Sequence, residues 1–359
     1  MKILFIAGLD SPHSHRWINS FASQGHEIGW INLRKTTKKT SINCKLRPRS
    51  AIFSSESINL IATYVYYIFR ILIWKPDAVH IHYMGLNGLM GLLVPCKNKV
   101  FTAWGSDVIF PKFPRLLNLM IRRADLLTTD AQHVVDKLIS LGAKSDQVKI
   151  INFGIETDFF VKKPKDEQYR EKLFKGTAED PIIISLRNHE TVYDIETLIE
   201  SIPIVLKEIP NAKFAIGGSG TLTSKYTELV KSLSVEESVN FFGSYIHDEL
   251  PNLFSQVHAY VSTSLSDAGL SASTAEAMSC EVPVIISNSG ENSLWVTDDE
   301  NGDLFPIKDS QELAIRIMNN IKHRELSIKK GQKGREIIVR DNDVINEMKK
   351  MNELYSTFS

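Results

Sequence analysis

The sequence has little of what secreted, metal-binding or nucleic-acid-binding proteins need. Its 359 residues include only three cysteines, Cys44, Cys96 and Cys280, which lie far apart along the chain. Such scattered thiols fit neither a disulfide framework nor a metal cluster, and they are typical of a reducing compartment. The 42 basic residues equal the 42 acidic ones, which disfavours a general nucleic-acid binder. Because no cluster has the spacing of a metal site, we expect no obligatory metal and no other cofactor.

Long hydrophobic runs and glycine-rich nucleotide motifs are also scarce. The apolar run Ile3–Ala7 is too short for a signal peptide and predicts the first buried strand of a cytoplasmic protein. This run ends at Gly8 without the further glycines of a G-x-G-x-x-G motif, which disfavours a nicotinamide or flavin dehydrogenase. The stretch Ile58–Trp74 is interrupted by Arg70 and has the minimum length of a membrane span. It predicts a buried helix or one that lies in a membrane interface.

The neutral total conceals two oppositely charged halves. Residues 1–155 hold 20 Lys and Arg against 9 Asp and Glu, whereas residues 156–359 hold 22 against 33. Much of the positive excess lies in a run without acidic residues: Arg34, Lys35, Lys38, Lys39, Lys45, Arg47 and Arg49. This basic run is typical of a solvated loop, of a surface that attracts an anionic membrane, or of one that attracts an anionic acceptor.

Apolar strand-like runs alternate with helical stretches along nearly the whole chain. The runs are 2–7, 26–33, 78–82, 99–102, 126–129 and 148–152, then 181–186, 213–217, 239–242, 259–262 and 283–287. This alternation predicts an α/β fold in which helices cover both faces of parallel sheets. The charged region 156–180 has little strand signal and predicts a linker. We therefore expect two doubly wound, Rossmann-like domains facing each other across a cleft, with ligands at the carboxyl ends of the strands.

In the first half, three residues after predicted strands are candidates for ligand contact. Gly8 ends the first strand, and His13 follows it in the loop before a helix whose N-terminus points toward the expected cleft. His13 is either a ligand contact or a solvated loop residue. Asp107 follows the fourth strand in the segment Trp104–Asp107, where it can face a substrate or cap the next turn. The spacing alone does not decide between the two.

The second half has a denser set of candidates. Arg187 ends a strand at a position where a guanidinium can clamp a phosphate, and Gly218 lets a ligand approach the backbone. The segment Ser262–Ile285 predicts a strand, a small-residue turn and a helix whose first amides can hold a phosphate. Glu276, about one turn into that helix, can accept hydrogen bonds from a ribose or complement the helix dipole. The candidates in this segment are Asp267, Gly269, Ser271, Ser273, Thr274 and Glu276.

Taken together, these segments resemble the retaining GT-B glycosyltransferases of family 4, which use nucleotide-sugar donors. The resemblance extends over essentially the whole chain and is carried by Arg16–Trp17, Gly25–Glu27, Pro76–Tyr83, Trp104–Asp107, Ala124–Thr129, Asn152–Phe160 and, most diagnostically, Ser262–Ile285. It implies an acceptor-side domain at 1–160, a donor domain at 161–340 and a C-terminal segment, 341–359, that crosses back to the first domain. It also implies that Arg187 binds the donor phosphates, that the segment Gly243-Ser244-Tyr245 lies near the base, and that Glu276 binds the ribose.

Two positions depart from the family pattern. Ala268 stands where the family has a carboxylate eight residues before the ribose glutamate, and the neighbouring Asp267 is a candidate substitute. Val192 stands where the family has a lysine five residues after the phosphate arginine. Either His189 compensates in part for that charge, or the donor carries a single phosphate; we favour a diphosphate donor.

The resemblance implies a glycosyltransferase that acts with retention on a glycan or lipid-linked acceptor in surface-polysaccharide assembly, in the cytoplasm or at the inner membrane face. Arg187 would stabilise the departing phosphate, while Asp107 and His13 would orient the sugar or the acceptor. Two alternatives remain open. One is a nucleotide-sugar epimerase of the same fold, and the other is a non-catalytic relative that binds a sugar nucleotide.

Overall fold

The computed structural model describes residues 1–49, 53, 55–174, 177, 179–267 and 269–358. The chain forms two compact units: unit 1 contains Met1–Gly154 and Val344–Ser359, and unit 2 contains Ile155–Asp343. The sequence predicts boundaries after residues 160 and 340, so residues 155–160 and 341–343 lie in unit 2 rather than in the segments to which the sequence assigns them.

Unit 1 contains a six-stranded parallel sheet. Its strands are β1 (Lys2–Ile6), β2 (Glu27–Ile31), β3 (Ala78–His82), β4 (Asn98–Thr102), β5 (Leu126–Thr129) and β6 (Val148–Ile150), in the order β2-β1-β3-β4-β5-β6. Its first helices are α1 (Pro12–Ser23), α2 (Glu56–Trp74), α3 (Leu86–Leu93), α4 (Ser106–Ile109), α5 (Pro114–Arg123) and α6 (Gln132–Ser140). The strands are apolar and largely buried because helices cover both faces of a parallel sheet.

Unit 2 contains a second six-stranded parallel sheet. Its strands are β7 (Ile182–Leu186), β8 (Lys213–Gly217), β9 (Val239–Gly243), β10 (Ala259–Ser262), β11 (Val284–Ser287) and β12 (Asp303–Phe305), in the order β12-β11-β10-β7-β8-β9. Its helices are α7 (Glu167–Leu173), α8 (Ile195–Glu208), α9 (Thr223–Ser232), α10 (Leu250–Phe254), α11 (Ala272–Ser279), α12 (Asn292–Trp295), α13 (Ser310–Lys322) and α14 (Arg324–Asp341). These sheets confirm the predicted pair of Rossmann-like domains.

The last helix of the chain, α15 (Val344–Ser356), packs in unit 1 against α1. Tyr355 on this helix is buried and bonds through its hydroxyl to Nδ1 of His80 on β3, 2.5 Å away. The other ring nitrogen of His80 lies 2.6 Å from the hydroxyl of Thr102 on β4. A buried chain of polar side chains therefore ties the C-terminal helix to the middle of the sheet.

Each sheet has one point at which the order of its strands reverses. In unit 1 the chain passes from β1 to β2 on one side and then crosses to β3 on the other, so the reversal lies between β1 and β3. In unit 2 it runs outward through β7, β8 and β9 and returns to β10, so the reversal lies between β7 and β10. Ligands of open α/β sheets bind at the carboxyl ends of the strands at such points, so each reversal is a candidate ligand site.

Candidate active site

An arginine and an aspartate meet at the strand reversal of unit 2. Arg187 directly follows β7, and Asp267 lies in the loop after β10. Arg187 Nη2 donates to Asp267 Oδ1 at 2.5 Å, and both side chains are about nine-tenths buried. The two loops that carry them are also joined by backbone, because the amide of Leu265 donates to the carbonyl of Val192 at 2.8 Å. The reversal is therefore bridged by a buried ion pair.

Two further contacts fix the guanidinium of Arg187. Its Nη1 donates to the hydroxyl of Ser273 at 3.4 Å, and its carbon lies 4.4 Å from the ring centre of Tyr193. Burial lowers the pKa of Arg187, but the charge and hydrogen bond of Asp267 together with Tyr260 and Tyr193 outweigh burial, so the pKa is raised overall. Its Nε has no hydrogen-bond partner in the described part of the chain. The result is a fixed cation that retains a free donor.

Helix α11 begins beside this cation. Ser271 caps the helix by accepting the amide proton of Thr274 at 3.3 Å, and the two hydroxyls lie 2.7 Å apart. Ser273, in the first turn, also bonds to the hydroxyl of Tyr260 at 2.7 Å. The positive end of the helix dipole and the guanidinium of Arg187 therefore lie together, an arrangement that favours an anion.

Glu276 lies one turn further along α11, and its side chain is 7% exposed. Its Oε1 is 3.3 Å from Nε2 of His247, whose ring packs edge-on against Phe160 at 5.3 Å between ring centres. Burial raises the pKa of the nearby Tyr245 to about 12, and the charges of Glu276 and Arg187 both act on that hydroxyl. Tyr245 therefore lies within electrostatic reach of both Glu276 and Arg187.

The glycines that the sequence singles out have different roles. Gly218 has a φ of 103°, and a Cβ there would lie 2.5 Å from the carbonyl oxygen of Arg187, so this glycine lets the β7 and β8 loops pack together. Gly243 ends β9 with a φ of 69°, and its carbonyl accepts the amide proton of Gly218 at 2.8 Å. Ser244 follows it and is exposed, whereas Gly269 is buried. Gly218 thus has a packing role, and Ser244 is open to a ligand.

The structure also bears on the two departures from the family pattern. Val192 is 39% exposed in the short turn after β7. The proposed compensation by His189 is wrong: this side chain is fully buried, burial lowers its pKa, and its Nδ1 bonds to the hydroxyl of Thr223 at 2.9 Å. A neutral, inward-facing imidazole supplies no charge to a phosphate. Ala268 lies outside the described residues; its neighbour Asp267 holds Arg187.

The strand reversal of unit 1 is bridged by neutral side chains. Ser14, on α1, lies with its hydroxyl 3.4 Å from Nδ1 of His82 at the end of β3. Burial, with a smaller effect of His13, lowers the pKa of His82 to about 3. The ring of His13 packs against Phe153 at 4.6 Å and edge-on to Trp104 at 5.8 Å. His13 therefore belongs to an aromatic cluster rather than to a solvated loop.

The carboxylate of Asp107 is hydrogen-bonded to backbone amides of unit 1. It is buried and accepts the amide protons of Met84 at 2.6 Å and Trp104 at 2.9 Å. Burial raises its pKa, although these bonds oppose that effect. Of the two roles that the sequence leaves open, the contacts fit loop positioning better than contact with a sugar. Gly8 lies in the loop after β1, where its carbonyl accepts the amide proton of Ser11 at 3.3 Å.

The basic run forms one wall of a cavity in unit 1. The cavity has a volume of about 520 Å³. It is lined by three of the run's cations and by hydroxyl groups: Lys38, Lys39, Arg47, Thr36, Thr37, Thr40 and Ser41. Cations interspersed with hydroxyls can bind an anionic or sugar-like group.

Three side chains of the unit 2 site are absent from the sequence prediction: Tyr193, Tyr260 and His247. Tyr260 lies inside β10, where no strand-end signal marks it. Tyr193 and His247 lie in the loops after β7 and β9, so their positions carry a signal that sequence reasoning could have used.

Comparisons with known proteins agree with this division of the chain. Residues 2–135 match the family described as "Glycosyl transferase 4-like", and residues 165–337 match "Glycosyl transferases group 1". EpsD of Bacillus subtilis, which is provisionally named a glycosyltransferase, is 29% identical over 220 residues, or 58% of this chain. The matched region spans 54% of that relative's length, about half.

Two solved structures have similar folds. Sucrose-phosphate synthase from Thermosynechococcus elongatus superposes with a TM-score of 0.84 at 18% identity, covering 99% of this chain and 98% of the other. HepE of Anabaena in complex with UDP-glucose gives 0.80 at 17% identity, covering 99% and 100%. Two segments of the chain therefore match glycosyl transferase family models, and the chain has the GT-B fold.

Proposed function

We infer that the chain transfers a sugar from a nucleotide-sugar donor to an acceptor hydroxyl, with retention at the anomeric carbon. The observation that carries this proposal is the position of Arg187, a fixed cation at the strand reversal of unit 2, beside the N-terminus of α11. The group 1 domain match and the UDP-glucose complex of HepE support a nucleotide-sugar donor.

Each feature of the unit 2 site suits one part of such a donor. Arg187 and the first turn of α11 suit the phosphates, because both present positive charge to the same point. Glu276 suits the vicinal hydroxyls of a ribose, since a carboxylate accepts two hydrogen bonds side by side. Gly243 and the exposed Ser244 suit a position near the base. We favour a diphosphate donor, and Asp267 acts mainly by holding Arg187.

The proposed reaction needs no covalent intermediate on the protein. The bond between the anomeric carbon and the phosphate oxygen breaks, and the acceptor oxygen bonds to the same face of that carbon. The acceptor proton passes to the departing phosphate oxygen, so the products are a glycoside and a free nucleotide. Arg187 stabilises the negative charge that grows on the phosphate. We propose no obligatory metal, which activity in the presence of EDTA would support.

We assign the acceptor to unit 1. The cavity lined by Lys38, Lys39 and Arg47 suits an anionic glycan or the phosphate of a lipid-linked sugar. The aromatic faces of Trp104 and Phe153 suit the apolar face of a sugar ring. The free thiols Cys44, Cys96 and Cys280 suit a reaction in the cytoplasm, where nucleotide sugars serve surface-polysaccharide assembly.

The test is a screen of UDP-, GDP- and CMP-sugars with the purified chain. Nucleotide release is measured alone, with free mono- and disaccharides, and with a polyprenyl-diphosphate-linked sugar. We expect release from one donor class that depends on one acceptor class, and proton NMR of the product should show the anomeric configuration of the donor. An Arg187→Ala variant serves as the control for contaminating activity.

Three other results would contradict the proposal in distinguishable ways. Conversion of the donor sugar into an isomer without an acceptor would indicate an epimerase. Nucleotide binding without turnover under any condition would indicate a non-catalytic relative. Inversion at the anomeric carbon would refute retention while leaving transfer intact.

A further inference from the structure

Helix α2 of unit 1 has an apolar face that points into solvent. Six of its apolar side chains are between 48% and 82% exposed: Ile58, Ile61, Val65, Phe69, Leu72 and Ile73. At 3.6 residues per turn they fall within an arc of about 120°, so they form one continuous stripe. We call these six residues the outer stripe. A contiguous exposed apolar patch of this kind marks a surface that another molecule covers.

The opposite face of the same helix is fixed to unit 1. Leu60, Tyr67 and Ile71 are buried, and the hydroxyl of Tyr67 donates to the carbonyl of Arg47 at 2.5 Å. The segment Ser57–Trp74 is long and apolar enough to cross a membrane, and only 22% of it is buried. Crossing would pull Leu60, Tyr67 and Ile71 out of their packing. The helix is therefore suited to lie along a surface rather than to span one.

Positive charge borders the outer stripe. The guanidinium of Arg49 lies 4.3 Å from the ring centre of Tyr66, and that of Arg70 lies 4.2 Å from the same ring. Tyr66 flanks the stripe on α2, so both arginines are held at its margin. Lys75 is exposed directly after the helix ends. Arg70 is the only charged residue between Ser57 and Trp74.

These positive charges indicate which kind of molecule covers the outer stripe. A second copy of the chain packed stripe to stripe would bring like-charged margins together, which opposes self-association. An anionic lipid surface presents acyl chains to the stripe and phosphates to Arg49, Arg70 and Lys75. We propose that unit 1 docks on anionic membranes through α2, which lies in the interface with its outer stripe among the lipids.

The test is vesicle flotation with phosphatidylcholine vesicles, with and without phosphatidylglycerol. A stripe variant carries Ile61→Gln, Val65→Gln and Phe69→Gln, and a margin variant carries Arg49→Gln and Arg70→Gln. The matched control carries Ile315→Gln, Leu326→Gln and Val339→Gln, which are exposed apolar residues on the helices of unit 2. Circular dichroism confirms that each variant is folded, as expected for exposed positions.

We expect the wild type and the control to float with anionic vesicles at low salt. The stripe variant should lose about tenfold or more in vesicle partitioning. The margin variant should lose about tenfold at low salt and less at high salt, where exposed charges are screened. Equal flotation of stripe variant and wild type would overturn the proposal, as would a wild type that binds no vesicles.

Size-exclusion chromatography without lipid tests whether a second copy of the chain covers the outer stripe instead. A wild-type dimer that the stripe variant abolishes would assign the stripe to self-association and overturn the lipid proposal; a monomer in both supports it. None of these residues lies in the candidate active site. Donor turnover with soluble acceptors should therefore be the same in all variants, so the membrane proposal and the proposed reaction can fail separately.

Discussion

Each unit has a reversal of strand order in a parallel sheet, and the side chains that bridge the two reversals differ in charge. In unit 2 the reversal is bridged by a charged pair, Arg187 and Asp267, whose atoms lie 2.5 Å apart. In unit 1 it is bridged by Ser14 and His82, whose polar atoms lie 3.4 Å apart. Burial lowers the pKa of His82 to about 3, so this second pair is neutral near pH 7. Parallel sheets fix where a ligand lies, and the loop residues decide which ligand it is.

This difference separates the proposed roles of the units. A fixed cation beside a helix N-terminus attracts a phosphate, which is the charged part of a donor. A neutral reversal beside Trp104, Phe153 and His13 is suited to uncharged parts of a sugar. In unit 1 the cations line the separate cavity instead. Substitutions at each reversal can therefore test whether the charge in unit 2 and the neutrality in unit 1 are both required for the proposed roles of the units.

The largest effect is expected from removing the cation of unit 2. Arg187→Ala leaves Asp267 buried without a partner, which should cost about 3–5 kcal/mol of unfolding free energy. Loss of charge stabilisation at the phosphate should lower kcat about 100-fold or more, with a smaller change in donor Kd. Urea unfolding and steady-state kinetics measure the two effects.

A double variant separates stability from catalysis. Arg187→Met with Asp267→Leu removes both charges, so it should recover much of the stability but none of the turnover. If the double variant regains turnover, or if Arg187→Ala raises the Michaelis constant for the donor with kcat intact, the proposed role of Arg187 in the chemical step is wrong.

The sequence predicts the sheets well because each strand of a parallel sheet is buried on both faces and therefore appears as a continuous apolar run. Eleven of the twelve strands in the described residues coincide with such runs, and four match at both ends: Ala78–His82, Leu126–Thr129, Lys213–Gly217 and Ala259–Ser262. Strand β12 is missed because it has three residues and begins with the polar Asp303. Helix α2 is apolar on nearly all sides, so its sequence does not reveal which face is buried.

The candidate site is predicted where a residue follows a strand, and missed where it depends on a distant partner. Arg187 and the segment around Ser273 are identified by position. Asp267 is singled out as a substitute for a sugar-binding carboxylate, but its bond to Arg187 joins residues 80 positions apart, which no local pattern encodes. His247 reaches Glu276 from another loop in the same way. The catalytic roles themselves stay predictions.

The next largest effect concerns the loop carboxylate of unit 1. Asp107→Ala should destabilise the protein by about 3 kcal/mol, because the amides of Met84 and Trp104 lose their acceptor in a buried place. Asp107→Asn retains one acceptor oxygen and should cost less. Hydrogen exchange of the Met84 and Trp104 amides reports the change directly. An Asn variant of normal stability that has lost all turnover would instead make Asp107 a catalytic residue.

A smaller effect is expected at the ribose end of the unit 2 site. Glu276→Ala should weaken nucleotide binding about tenfold, as expected for lost hydrogen bonds to a charged acceptor. Calorimetric titration with the preferred nucleotide measures this change. Glu236→Ala, an exposed glutamate in the same unit, is the matched control and should bind as the wild type does. Unchanged affinity in Glu276→Ala would refute the ribose role.

The smallest effect is expected at the strand reversal of unit 1, where it tests whether His82 is neutral. The pKa of His82 is about 3 in the folded protein and about 6.5 in the unfolded chain. Below about pH 6.5 His82 binds a proton in the unfolded state but not in the folded state, so stability falls as the pH falls.

Protonation of His82 in the unfolded state should therefore lower the free energy of unfolding by at most about 1.4 kcal/mol per pH unit between pH 6.5 and 3. Urea unfolding at about pH 6.5 and 5.5 should show a smaller loss for His82→Asn than for the wild type, by about 1 kcal/mol. His133→Asn, at an exposed position of the same unit, should lose as much as the wild type. If His82→Asn is as acid-sensitive as the wild type, His82 is protonated in the folded protein. The two reversals would then both hold a cation, and the contrast in charge between the units would be lost.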